Sequence, residues 1–161
     1  PYAVAISQHM PPGFTKTFAV RLNKFSPFEV KEAENGDIVH PGRVLIAPGG
    51  FNMTFIVKGG AVEARLLPGE DMDRYVPSIN KMFVSASELF GSRAVAVVMT
   101  GMGSDGKEGI VHIKSAGGKT IAQSEDTSVI FGMPKEAIAT GMVDAVLPLQ
   151  GIAEGIVAMC R

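Results

Sequence analysis

Residues 94–123 read AVAVVMTGMGSDGKEGIVHIKSAGGKTIAQ, and they carry the decision about the fold. A short apolar run (94–99) breaks at a glycine-rich loop, gives way to a segment of helical length (106–116), and resumes as a second apolar run (119–123). Strand, helix and strand in this order form a βαβ unit, whose two strands are parallel because the helix carries the chain back across the sheet. The pattern then repeats, with a helix expected over 134–140, a strand over 144–147 and a helix over 149–159.

Working back toward the N-terminus, residues 2–7 (YAVAIS) read as a buried strand that ends in the loop Gln8-His9-Met10-Pro11-Pro12-Gly13. Phe14, Phe18, Ala19, Leu22 and Phe25 recur at helical spacing, opposed by Lys16, Arg21 and Lys24, and mark an amphipathic helix over 14–25. Strands follow at 28–33 and 43–47. Residues 52–57 and 61–66 flank Lys58-Gly59-Gly60, a turn suited to positive φ, and are expected to form a hairpin on a sheet edge. A helix entered at Pro77-Ser78 runs through Ile79, Met82, Phe83, Ala86 and Phe90. The 161 residues therefore read as a single α/β domain with a doubly wound, mainly parallel sheet and an inserted antiparallel β-hairpin.

Composition removes several classes of function. Apolar residues make up 46% and charged residues 19% of the chain, enough apolar surface to outweigh the entropy of ordering, so intrinsic disorder is excluded. A net charge of −1 is unlike the basic footprint of a nucleic-acid binder. No apolar run approaches the ~18 residues of a membrane span, and no signal-like segment opens the chain. Cys160, the sole cysteine, has no internal disulfide partner and suits a reduced, cytoplasmic setting. His9, His40 and His112 lack metal-ligand spacing, so no metal is expected.

Open parallel sheets place ligands beyond the carboxyl ends of their strands, at the loops 9–13, 48–50, 100–106 and 123–132. The segment Gly101-Met102-Gly103-Ser104-Asp105-Gly106 spells G-x-G-x-x-G after a strand and before a helix, with Glu125 and Asp126 some twenty residues on, as in a dinucleotide-binding fingerprint. Asp105 opposes that reading, since its carboxylate stands where a pyrophosphate would collect amide hydrogens. Ser104 or Asp105 could instead cap the helix, Asp105 with Glu108 having capping-box spacing. In a third reading, His9 and Asp105 both fall at strand C-termini, where a carboxylate could orient an imidazole as in a Ser-His-Asp triad. Gly132-Met133-Pro134 reads either as a helix entry or, from its strand-end position, as a substrate-side loop.

The wording of two loops, Gln8-His9-Met10-Pro11-Pro12 with Phe14-Thr15 and Thr100-Gly101-Met102-Gly103-Ser104-Asp105-Gly106, resembles the catalytic domain of the bacterial chemotaxis protein-glutamate methylesterase. Ile46-Ala47-Pro48-Gly49, Pro77-Ser78-Ile79, Ile121-Ala122-Gln123 and Val129-Ile130-Phe131-Gly132-Met133-Pro134 extend the likeness from end to end. The resemblance implies His9 as the base, Asp105 as its orienting acid and the Met102 backbone N–H as an oxyanion donor. It implies hydrolysis of glutamyl γ-methyl esters on chemoreceptors, deamidation of receptor glutamines, no cofactor, a cytoplasmic location and control through a response-regulator receiver domain, which these residues do not include. The Ser-Thr-Gly-Gly-like motif that carries the family's nucleophile is absent. The expectation is therefore of a methylesterase domain lacking its first strand, turn and helix, and inactive as written. Ser7 reads as part of a strand and Ser104 as no more than a cap, so neither takes the nucleophile's place. Tyr75 and Asn80 stand where family members are expected to show histidine and aspartate. A nucleotide-binding domain and an inactive receptor-docking module are the alternatives.

Overall fold

A computed structural model describes residues 2–161, which form two compact units, one ending at Met82 and one beginning at Phe83. In the first, β1 (Val4–Ile6), β2 (Glu29–Glu32) and β3 (Arg43–Ile46) form a parallel ladder in the order β1-β3-β2, with Ile6 and Glu32 both in register with Ile46. The helix α1 (Phe14–Asn23) crosses between β1 and β2 and buries Ala19 against Val30, Val44 and Ile46, with Phe18 and Leu22 partly covered. Its pattern overstates the covered face, because Phe14 is 62% exposed and Phe25, past the helix end, is 81% exposed. Helical periodicity names the apolar stripe but not how much of it another element reaches.

The expected hairpin is present as β4 (Phe51–Lys58) and β5 (Ala61–Pro68), paired antiparallel over their whole length. Gly59 and Gly60 have φ of +58° and +84°, the positive pair that a two-residue turn of matching twist requires. Met53, Phe55 and Ala64 are buried. The expectation that this hairpin extends the edge of a parallel sheet is corrected: it is a separate ladder, bonded to the segment between β2 and β3 through an antiparallel bridge from Ile38 to Glu63 and through Gly36, Asp37 and Val39. A turn sets the pairing of its own two strands and carries no information about the third.

The helix α2 (Ile79–Phe90) starts in the first unit and ends in the second. There β6 (Val95–Val98), α3 (Lys107–Ser115), β7 (Lys119–Gln123), α4 (Met133–Ile138), β8 (Ala145–Leu147) and α5 (Leu149–Met159) alternate as expected, with the strands parallel in the order β6-β7-β8. α3 and α4 pack on each other and on the ladder, while α5 packs on β7 and β8. Two glycines permit close approach: a Cβ on Gly109 of α3 would lie 2.6 Å from the Cβ of Phe83 on α2, and one on Gly155 of α5 would lie 2.4 Å from Leu147 Cδ1. The α/β class with parallel strands and an inserted hairpin is borne out, with the parallel strands divided between two three-stranded ladders. The strand expected as buried over 2–7 is shorter, and Tyr2 and Val4 are exposed because β1 lies at the end of its ladder.

Asp144 ties the second unit together just before β8. Burial raises its carboxyl, but the Lys114 ammonium, the Thr120 backbone N–H (2.9 Å) and the Thr120 hydroxyl (3.0 Å) outweigh that and hold it below the ordinary aspartate range. A carboxyl whose pKa is depressed in the folded state contributes stability that is complete above the unfolded value of about 3.9 and is lost as pH falls through the folded one. Asp144→Asn should therefore destabilise the protein at pH 7 by about 1.5 kcal/mol, the lower end of the ~1.5–3 kcal/mol that hydrogen bonds to a charged group contribute, because the carboxylate is partly exposed. The gap to wild type in urea unfolding should shrink as the buffer is taken below pH 3.

Candidate active site

At the carboxyl ends of the first ladder, the loops are held by one buried hydroxyl. Thr15, on the first turn of α1, donates to Glu32 Oε1 (2.5 Å) at the end of β2 and accepts from the Gly49 N–H (3.0 Å) in the loop after β3. Gly49 in turn supports the loop after β1, for a Cβ there would fall 2.4 Å from the Pro11 carbonyl carbon and 2.7 Å from the Met10 carbonyl oxygen. Only a residue without a side chain fits under that turn. The turn follows His9, whose imidazole lies parallel to the Tyr75 ring, centroids 5.0 Å apart and planes 7° from parallel. Ser7, which immediately follows β1, has a buried hydroxyl oxygen with no hydrogen-bond partner among the described residues.

The segment bearing Tyr75 is anchored by a buried amide. Asn52 of β4 donates from Nδ2 to Asp73 Oδ2 (2.9 Å) and accepts at Oδ1 from the Ser78 N–H (2.8 Å). Lys81 (2.6 Å) and then the Glu70 N–H (3.0 Å) stabilise the charged Asp73 carboxylate, which lies below the ordinary aspartate range despite partial burial.

In the second unit Gln123, fully buried at the end of β7, plays the part of Thr15. Its Oε1 accepts from the Thr100 N–H (2.8 Å) and its Nε2 donates to the Thr127 carbonyl (2.8 Å), so one amide joins the loop after β6 to the loop after β7. These loops then pair as a short parallel bridge between Gly101 and Phe131. The Gly101 N–H donates to the Ile130 carbonyl (3.0 Å), and the Gly101 carbonyl accepts from the Met133 N–H (2.8 Å). A Cβ on Gly132 would stand 2.7 Å from the Gly101 oxygen, and one on Gly101 would stand 2.4 Å from the Met133 sulfur. The Met102 N–H lies on this pinned loop and has no hydrogen-bond partner among the described residues, while the Met102 side chain is 76% exposed.

Asp105 is only 1% exposed. Its Oδ1 accepts from the Gly106 N–H (3.1 Å), and the N-cap position of α3 belongs to Gly106, in the left-handed region at φ +93°. A buried carboxylate and an occupied Gly106 amide also remove the open cluster of N–H groups that a nucleotide pyrophosphate would use. Met133 and Pro134 are buried, the Met133 sulfur lies against Gly101, and Gly132 lies against the Gly101 and Met102 backbone. Among the described residues, no group of three or more His, Cys, Asp or Glu side chains could hold a metal ion, and no helix is long and apolar enough to cross a membrane. Sequence reasoning missed the bracing role of Thr15, Asn52, Asp73 and Gln123. Thr15 and Gln123 fall in the motifs that carry the family resemblance, whereas Asn52 and Asp73 were signalled only by their place next to a strand end or a loop.

Comparison with known proteins agrees with this arrangement. The family model described as CheB methylesterase matches residues 1–156. The protein-glutamate methylesterase/protein-glutamine glutaminase 3 of Geobacter sulfurreducens is 56% identical over 161 residues, covering 99% of this chain and 43% of the relative. The corresponding protein of Pyrococcus abyssi is 51% identical over 154 residues, or 96% of this chain and 42% of the relative. The chain thus spans less than half the length of these curated relatives. The crystal structure of the Thermotoga maritima CheB methylesterase catalytic domain superposes with a TM-score of 0.94 at 41% identity, covering 99% of this chain and 84% of that one.

The brace at Gln123 has a measurable value. Gln123→Leu keeps the volume but leaves the Thr100 N–H and the Thr127 carbonyl without their partner, and a polar group left unpaired away from water costs about 1–3 kcal/mol. Thr100 is exposed and Thr127 half-buried, so the variant should lose about 1–2 kcal/mol in urea unfolding. A loss below about 0.5 kcal/mol would mean that water replaces the amide at no cost.

Proposed function

Because this chain belongs to the CheB methylesterase family, we propose that it is the hydrolytic domain of a protein that removes methyl groups from glutamyl γ-methyl esters of chemoreceptors, releasing methanol, and that deamidates receptor glutamines. His9 is the general base, Asp105 orients its imidazole, and the Met102 N–H donates to the oxyanion. A serine nucleophile lying outside these 161 residues attacks the side-chain carbonyl while His9 takes the hydroxyl proton. The tetrahedral oxyanion collapses, the C–O bond to the methoxy group breaks, and His9 returns the proton so that methanol leaves. Water then enters by the same base and frees the glutamate carboxylate. With a glutamine substrate ammonia leaves in place of methanol, by the same acyl-enzyme.

The observation that carries this reading is the buried carboxylate of Asp105. A carboxyl group held out of water interacts strongly with a positively charged partner. An imidazole that gains a proton during the reaction is such a partner, and the pinned Met102 amide offers the donor that a developing oxyanion requires. The setting that fits is the cytoplasm, with methyl-accepting receptors as partners and a response-regulator receiver domain in control.

The test is methanol release from methylated receptor by the full-length protein. His9→Ala should lower the rate by ~10³-fold or more. Asp105→Asn separates the roles of that residue: it should lower the rate at least ~10²-fold at matched thermal stability, because the amide presents a different set of donors and acceptors to the imidazole. Equal rates for Asp105→Asn and wild type would return Asp105 to a purely structural role.

A further inference from the structure

We propose that Tyr75 is a positioning residue for His9, acting through the stacked contact of their rings. The inference rests on reading His9 as the base. A histidine side chain has two rotatable bonds, and the base must present a chosen nitrogen to the hydroxyl while the other nitrogen keeps its orienting partner. The Tyr75 ring, 5.0 Å from the imidazole centroid and 7° from parallel, covers one face of it. A contact on the face restricts rotation of the imidazole plane and leaves both nitrogens, which lie on the ring edge, available for proton transfer. A hydrogen-bonding neighbour could restrict the plane only by occupying one of those nitrogens.

For such a contact to position anything, its own mount must be rigid. Two residues before Tyr75, Asp73 is bound by Asn52, Glu70 and Lys81, and three residues after it the Ser78 N–H is bound by Asn52. Gly69 closes the segment, since a Cβ there would lie 2.8 Å from Val76 Cγ2. The Arg74 guanidinium carbon lies 5.3 Å from the Tyr75 ring centroid and adds a cation–π contact to the same ring. On the other side, His9 sits at the end of β1 beside the turn supported by Gly49. Both partners of the stack are thus held by backbone that has little freedom to move.

The test compares Tyr75→Phe, which keeps the ring, with Tyr75→Leu and Tyr75→Gln, two flexible side chains that do not, in the full-length protein at matched thermal stability. Tyr75→Phe should stay within about twofold of wild type in methanol release, and both non-aromatic variants should lose about tenfold or more in kcat, with KM moved by no more than about twofold. The ring-carbon proton signals of His9 in NMR should move downfield in the non-aromatic variants, as the ring current of the stacked neighbour disappears, and stay in place in Tyr75→Phe. Non-aromatic variants with kcat within twofold of wild type, while His9→Ala is inactive, overturn the inference and leave the methylesterase reading standing. So does a Tyr75→Phe variant as impaired as Tyr75→Leu. A His9→Ala protein of near-normal rate removes the reading itself, and this inference with it.

Discussion

Parallel strands all end on the same side, and their last backbone groups must find partners in loops that are themselves irregular. In each unit this is met by one fully buried polar side chain: Thr15 joins the ends of β2 and β3, and Gln123 joins the loops after β6 and β7. Neither side chain is apolar, so neither adds to the core in the usual sense, yet each pairs two polar groups: Thr15 the Gly49 N–H and the Glu32 carboxylate, Gln123 the Thr100 N–H and the Thr127 carbonyl. The geometry of the rim follows from these bonds. Pinning Thr100 sets where Gly101 begins its bridge to Phe131, and pinning Gly49 sets the bed on which residues 10–12 turn.

The consequences for chemistry run through backbone as much as through side chains. An oxyanion donor has to be aimed before charge appears, because reorganising dipoles during the reaction would cost part of the stabilisation they provide. Gly101 is held at both its N–H and its carbonyl, and the next residue in the chain, Met102, inherits that order although its side chain projects into solvent. The backbone thus supplies a fixed donor while the side chain stays free for other contacts.

Much of this was legible in the residues. The alternation over 94–159 reads directly as βαβ units, and Lys58-Gly59-Gly60 gives the hairpin because two successive positive φ angles suit few other residues. His9 and Asp105 were marked by their strand-end placement and by the family resemblance. What escaped were properties that depend on who lies opposite. The division of the parallel strands into two ladders, the exposure of Phe14 and Phe25, and the braces at Asn52, Asp73 and Asp144 are all set by tertiary neighbours, and a one-dimensional pattern of apolar residues has no term for them.

The departure that the resemblance implies at Tyr75 can be weighed on the same physical footing. A histidine at position 75 would present a ring of similar planarity but would add a second titrating group beside the base, whose charge would depend on the charge of its neighbour. Tyrosine keeps the flat face with a phenol in place of a second imidazole. In this chain the proposed positioning contact is made on the face of the His9 imidazole by an aromatic neighbour, and the proton transfer proposed for His9 runs through the ring edge.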